Sequence, residues 1–432
     1  MTHPSDFNFS DPSVQECPYP LYSAMREHQP VYQVPGLGFH IVSRYQDIVE
    51  ALGRPDLFSS RLGFRGKEQP ASVQAVFEEA GLGNEVPTLV SNDPPEHTRF
   101  RRLVDQAFTP KRVAGMEAYM VQVVHEAIDA FIGDGQAEMV GQFCVPVPMM
   151  IIADQLGVSR EDMGAFKRWS DASVEPLGMM ISEERHIQCA REMVEFERYF
   201  LDRIRERQRR RTADMLSDVV YAAQDNGEEP MTDAEILSVT RQFLVAGNET
   251  TTNTLASAIW LLSRHPDQVR ILRENPQLFG RLAEEVLRYE SPVQGLFRMT
   301  TADVELGGTV IPKGSLVNLR YGSGNRDACV FGDPETFDVT RADARKHLAF
   351  GGGIHLCIGQ ALARQEIKVA MRELLGRVDN LRLTDPGFEV THHPSAILRG
   401  IKSLPVTFDR LDATASMADG PTGSEAAQLR GS

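Results

Sequence analysis

Cys357 stands in the segment FGGGIHLCIG, residues 350–359, framed by glycines at 351, 352, 353 and 359. The chain that follows, QALARQEIKVAMRELLG, carries Ala361, Leu362, Ile367, Ala370, Met371, Leu374 and Leu375 at helical spacing, which predicts a helix. The cysteine therefore lies in a glycine loop at or just before a helix N-terminus. There the helix dipole and unpaired backbone N–H groups favour the thiolate over the thiol. The glycines let the backbone approach something large and flat. A thiolate held in this way is a ligand for heme iron and pushes electron density onto the metal. A lone cysteine is otherwise a small buried hydrophobe. That is the reading for Cys17, Cys144, Cys189 and Cys329, which lack such a frame.

Three further clusters carry polar groups at telling spacings. In DPPEHTRFRR, residues 93–102, His97 and Arg101 are four apart and share one helix face, so they can hold an anion. In VAGNETTT, residues 245–252, a glycine, a carboxylate and three threonines interrupt an apolar helical pattern. Such residues are poor choices inside a helix, and a buried carboxylate is costly, so the stretch is a functional candidate. Glu285 and Arg288 are three apart and can pair on one helix face, a pattern common in itself.

Taken together these segments resemble the cytochrome P-450 family. FGGGIHLCIG matches its FxxGxxxCxG heme loop, AGNETT its oxygen-binding motif, Glu285-Arg288 its ExxR pair, and HTRFR its propionate motif. The resemblance covers roughly residues 15 to 410, with the motifs in the family's order. It implies a mainly α fold with small β-sheets, the family's triangular prism crossed by a long central helix. It implies heme b with Cys357 as the iron ligand, seated among Ala246, Gly247, Phe350, Gly351 and Gly359. His97, Arg101, Arg298 and His355 would meet the heme propionates. Gly247 would leave room for O2, while Glu249 and Thr250 would deliver protons. Val90, Phe243, Leu244, Val293, Leu296 and Ile397 would line an apolar substrate pocket, with Gln294, Gly295 and Phe297 beside them. Glu285 and Arg288 would be a structural pair. Many members place an arginine where this chain has Thr336, leaving Arg341 or Arg345 to complete that network. The implied reaction inserts one atom of O2 into an apolar small molecule: a terpenoid, steroid, fatty acid or aromatic acid. The chain shows no flavin or iron–sulfur motif, so NAD(P)H would act through a separate ferredoxin and its reductase. Arg102 and Lys111 are candidates for the face where that donor docks. Two alternatives are a peroxide-driven peroxygenase of the same fold and a non-catalytic heme sensor or carrier.

The elements that must position these residues are legible in part. Thr232 and Glu235 form a capping box, and His265-Pro266 stops the helix they start. This predicts a helix from Thr232 to about Arg264, roughly 48 Å long at 1.5 Å per residue. Val31–Val34 and Phe39–Val42 read as a hairpin about Pro35-Gly36-Leu37-Gly38, followed by a helix over Tyr45–Leu52. Thr109-Pro110 reads as an N-cap and N1 pair opening one helix that Gly133 ends. Residues 60–90 read as a mobile loop over the pocket, where Arg61, Arg65 and Lys67 are solvated charge or, alternatively, a carboxylate clamp. Pro176 to Met180 would form a second lid. Helices are expected from Leu278 to Tyr289 and strands at Val304–Leu306, Thr309–Ile311 and Leu316–Leu319.

Composition sets the outer limits. The chain has 432 residues, 42% of them hydrophobic, enough for a large core, and no linker divides residues 1–410. Residues 411–432 are small, polar and aperiodic, which predicts a disordered tail. The net charge of −15 argues against nucleic acid as a partner. No apolar run approaches a membrane span, and five scattered cysteines form no disulfide framework. These features fit a cytoplasmic monomer.

Overall fold

A computed structural model of the chain describes residues 3–61, 70–82, 86–178 and 181–411. The expectations for Arg65, Lys67, Met179, Met180 and residues 412–432 fall outside those residues. The central helix runs Asp233–Arg264, 32 residues, as the capping box requires. The Thr232 hydroxyl accepts from the Glu235 N–H at 3.2 Å, and the Glu235 carboxylate accepts from the Thr232 N–H at 2.8 Å. Its C-terminal half buries Leu255, Ile259 and Leu262, each worth about 1.5–3 kcal/mol. Helices Pro146–Gln155, Met163–Val174 and Gln360–Leu375 pack around it.

The polar run inside the central helix is satisfied by bonds that helix period alone does not reveal. Asn248 Nδ2 donates to Ser170 Oγ at 2.8 Å and Thr252 Oγ1 to the Cys144 carbonyl at 3.1 Å. Buried polar groups must find such partners. Two of the run's members are thus tertiary contacts that fix neighbouring helices against the central one.

The strands are β1 (Val31–Gln33), β2 (Phe39–Val42), β3 (Phe58–Ser59), β4 (Gln136–Glu138), β5 (Leu296–Thr300), β6 (Val304–Leu306), β7 (Thr309–Ile311), β8 (Leu316–Leu319), β9 (Val378–Leu383) and β10 (Pro405–Arg410). One sheet has the order β1-β2-β8-β5-β3; β4-β10-β9 form a second and β6-β7 a hairpin. The expected β1–β2 hairpin forms with Val31 opposite Val42.

Two expectations fail locally. Residues 60–90 are not loop throughout, because Ala71–Glu79 is helical. Thr109 and Pro110 do cap and open a helix, but it ends at Gly115 and a second runs Glu117–Asp129. Met116 N–H donates to the Val113 carbonyl at 3.0 Å. That i→i+3 bond tightens the turn beside a glycine, where helix propensity is weakest.

The open question at Thr336 has a geometric answer. Arg288 is fully buried and uses all five N–H donors: Nε and Nη2 on the Glu285 carboxylate at 2.7 and 2.8 Å, Nη1 on the carbonyls of Asn325 and Pro334, Nη2 also on that of Thr336. Arg341 Nε lies 3.2 Å from Glu285, and its other nitrogens bind the carbonyls of Gly332, Asp333 and Thr336. Arg345 is instead exposed and 3.6 Å from Glu284. Arg341 completes the network, with a backbone carbonyl at the position where a side chain was looked for.

Candidate active site

The Cys357 loop is held from both sides. The Cys357 N–H donates to the Phe350 carbonyl at 3.0 Å and the Gly351 N–H to the Leu348 carbonyl at 2.8 Å. The Arg364 guanidinium lies 4.5 Å over the Phe350 ring and pairs with Glu284 at 2.7 Å. Gly353 takes φ +61°, and a Cβ there would stand 2.2 Å from the Leu52 carbonyl oxygen. Gly353→Ala is therefore expected to cost about 1–3 kcal/mol, read as a lowered denaturant midpoint. Gly332→Ala, where a Cβ meets nothing within 4 Å, should stay near wild type. Equal midpoints in the two variants would contradict this account of the loop.

A cavity of about 780 Å³ lies between this loop and the central helix. Cys357, Phe350, Gly351 and Gly359 line one side; Phe243, Ala246, Gly247, Glu249 and Thr250 line the other. His97, Arg101, Arg298 and His355 open onto the same cavity. The His97 and His355 rings lie 4.2 Å apart, and His355 meets Ser60 Oγ at 2.9 Å. Arg101 donates to the Leu356 carbonyl at 2.8 Å and Arg298 to that of Phe297 at 2.7 Å.

The electrostatics of this quartet ask for an anion. Burial, followed by the positive charges of Arg298, His97 and Arg101, pushes His355 down to about 3. Burial and Arg101 likewise lower His97. The buried Tyr321 hydroxyl, also on the cavity wall, has no hydrogen-bond partner among the described residues. Two guanidinium groups and two imidazoles with an orphaned phenol are the donor set that two buried carboxylates need. The residues present fit heme: Cys357 for the iron and this quartet for the propionates.

Two features differ from expectation. The Cys357 thiol is raised above its ordinary value, because burial outweighs the Gly359 N–H, Arg101, Arg364 and the Gln360 N–H, which favour the thiolate. The helix N-terminus alone does not ionise it; a bound cation at Sγ would. The missing Cβ of Gly247 faces Ile152, whose Cδ1 would lie 3.3 Å away, so this glycine also serves close helix packing.

Glu249 is raised by burial, against the opposing bond from Asn253 Nδ2 at 3.3 Å. Thr250 Oγ1 donates to the Ala246 carbonyl at 2.7 Å. The two side chains reach the cavity one residue apart.

Val90, Phe243, Val293 and Leu296 line the cavity as expected; Leu244 and Ile397 do not. Phe243, Gly247, Thr250 and Thr254 recur every three or four residues on the cavity face, with Ala246 beside Gly247. Leu244, one step on from Phe243, is rotated into the core and fully buried. Ile397 belongs to the apolar cluster of Leu21, Tyr22, Phe39 and Phe297, while Leu398 takes the cavity face. Strand alternation decides β5 in the same way, with Leu296 and Arg298 inward and Phe297 packed edge-on to Phe39 at 5.4 Å. Gln294 and Gly295 also lie off the cavity: Gln294 bonds Tyr22 at 3.0 Å, and Gly295 abuts Asn318. Sequence reading missed Arg241, Glu197, Gln74 and Ser173, polar groups on the substrate side of the wall. They sit in four separate helices, with no motif to mark them. Arg61 pairs with Asp93 and Glu96 at the cavity edge and is mostly exposed, as solvated charge is.

A family model described as Cytochrome P-450 matches residues 174–380. The chain is 36% identical to the 6-deoxyerythronolide B hydroxylase of Saccharopolyspora erythraea over 394 residues, 90% of this chain and 96% of that protein. It is 34% identical to the monooxygenase PikC of Streptomyces venezuelae, covering 91% of each. Among solved structures, a cytochrome P-450 from Chondromyces apiculatus superposes with a TM-score of 0.83 at 36% identity, over 94% of this chain and 99% of that one. A heme-loop cysteine, an anion-seeking quartet and this degree of likeness along nearly the whole chain agree: the chain belongs to the cytochrome P-450 family and is a heme- and O2-dependent monooxygenase of that family.

Proposed function

We propose that this enzyme hydroxylates a largely apolar small molecule, drawing electrons from NAD(P)H through a separate ferredoxin and ferredoxin reductase. The observation that carries the reading is the convergence on one cavity of Cys357, the His97–Arg101–Arg298–His355 quartet and the Glu249–Thr250 pair. Heme, when bound, supplies the O2 activation; the rest falls to the chain. Cys357 would supply the thiolate that holds the iron, and the quartet would neutralise two carboxylates of the cofactor. Burial raises the Glu249 carboxyl above its ordinary value, which favours its proton-carrying form. Thr250, its own hydrogen given to Ala246, has oxygen lone pairs with which to accept a hydrogen bond from a water and so hold that water beside Glu249.

Phe243, Leu296 and Leu398 exclude water from the reacting carbon, while Arg241, Gln242 and Ser173 offer polar contacts farther out. The substrate is then an apolar body carrying at least one polar group. Relatives diverge here. One is named for 6-deoxyerythronolide B, another is a steroid C26-monooxygenase, and a solved neighbour carries an acyl carrier protein ligated to hexadec-9Z-enoic acid. Residues 1–410 would act as one domain in a cytoplasmic monomer; among the described residues no helix is long and apolar enough to cross a membrane. Arg102 and Lys111 remain candidates for the donor-docking face.

Reconstitution tests the reading. The heme-loaded protein with ferredoxin, reductase and NADPH should hydroxylate those terpenoids, steroids or fatty acids that shift the ferric heme to high spin. Thr250→Ala should keep NADPH consumption while product per NADPH falls by about 100-fold, the low end of the range ascribed to a general acid–base group. Undiminished coupling in that variant would remove Thr250 from the proton path. Product formed with peroxide but never with NADPH and the redox proteins would favour the peroxygenase alternative.

A further inference from the structure

Arg320, the residue after β8, lines a second cavity of about 180 Å³, which shares the Leu398 wall with the heme cavity. Its side chain is 2% exposed. Nη1 donates to the Ala396 carbonyl at 2.9 Å, but among the described residues Nε and Nη2 have no hydrogen bond of normal geometry; the Tyr22 hydroxyl, which donates to Gln294 at 3.0 Å, interacts with the cation from one side. Those two N–H groups form a guanidinium edge with parallel donors, of the kind that grips a carboxylate or phosphate bidentately. The cation is flanked by the rings of Phe9 and Tyr22, at 5.5 and 5.7 Å, which also line the cavity.

The rest of the wall has the same polarity. His392 is buried, its Nδ1 taken up by Glu16, and its Nε2 is a second orphan on the same cavity. Arg399, His393 and Lys402 add positive or protonatable groups. The opposing carboxylates are engaged: Glu16 holds His392, and Glu290 holds Arg399 at 2.8 Å and Arg326 at 3.1 Å. A buried guanidinium with its best edge unmet is costly, and the cavity is the size of a small ion with its waters rather than of an organic cofactor.

We propose that this cavity binds a small oxyanion, a phosphate or carboxylate group, on the Nε–Nη2 edge of Arg320. An ion there ties together three parts of the chain distant in sequence: the N-terminal segment around Phe9 and Glu16, the end of β8, and the segment His392–Arg399. Through Ala396 and Leu398 it braces the wall shared with the heme cavity.

The heme-loaded protein should be titrated calorimetrically with inorganic phosphate and, separately, with acetate, at ionic strength held constant with chloride. A saturable single-site isotherm for phosphate alone assigns a tetrahedral oxyanion, and one for both ions assigns the bidentate edge to carboxylates as well. Arg320→Gln should weaken binding by about tenfold or more, as expected for a lost charged hydrogen-bond pair. The exposed rim variant Lys402→Ala should weaken it less. If Arg320→Gln does not fold, a selenate-soaked crystal of the wild type decides: an anomalous peak within hydrogen-bond distance of Arg320 supports the site, and no peak there overturns it. Absence of saturable heat with either ion, or an Arg320→Gln affinity equal to wild type, also overturns it.

Discussion

Replacing Arg288 by Met is expected to lower folding stability by about 3–5 kcal/mol, the cost of stripping one partner from a buried ion pair. Both members of the pair are fully buried, and the guanidinium has no spare donor. Removal leaves the Glu285 carboxylate with Arg341 and the Asp338 N–H alone, and takes the side-chain donor from the carbonyls of Asn325 and Pro334, while that of Thr336 keeps Arg341. Arg288→Lys should recover only part of the loss, since an ammonium offers three donors where five are used. Arg341→Met should also destabilise, by less. Arg345→Ala, at an exposed partner of Glu284, should stay within about 0.5 kcal/mol of wild type. Urea midpoints of the four variants check the set. An Arg288→Met midpoint equal to wild type would sink the claim that this hub organises the chain before the heme loop. Equal losses for Arg341→Met and Arg345→Ala would undo the assignment of Arg341.

The same hub marks where sequence reading stops. Glu285 and Arg288 lie on one helix turn, so spacing alone pairs them. Arg341 joins through a loop whose path depends on carbonyls at 332, 333 and 336, which no residue type encodes. The central helix was legible at both ends because its caps are local: Thr232 and Glu235 at one end, His265-Pro266 at the other. Strands β6 and β7 were legible for a similar reason, since Gly307-Gly308 forces the turn between them. β9 and β10 were not, because their partners are each other and β4, from Gln136 to Val406 apart in the chain. In the site, the loop cysteine and the His97–Arg101 pair could be named because each motif is short. Leu244 and Ile397 could not be placed, because a pocket wall depends on a rotation of 100° along a helix or one step along a strand. The Arg320 cavity had no motif at all. Its walls come from Phe9, Arg320 and His392, which only the folded chain brings together.

Cys357→Ser should abolish monooxygenase activity, a loss well beyond the roughly 10–100-fold that follows removal of an outer partner of a metal site. The reasoning rests on the burial of Sγ. Burial raises the Cys357 thiol even though two backbone N–H groups and two arginines favour the anion. The site is thus balanced so that a cation at Sγ tips the thiol to thiolate. A serine hydroxyl begins far less acidic than a thiol, and the same four aids cannot ionise it. The quartet proposed for the propionates is untouched, so Cys357→Ser should still take up heme while losing the carbon monoxide difference spectrum that reports thiolate ligation. His97→Ala or His355→Ala should show the opposite pattern: weaker heme retention, by about 10–100-fold, with the thiolate signature kept in the fraction that holds heme. Measuring heme content and that spectrum on all three variants separates the residue that ligates from the residues that seat. A thiolate signature surviving in Cys357→Ser would mean that another cysteine is the ligand. Buried Cys144 and Cys189, raised by their own burial, offer no such loop to hold one.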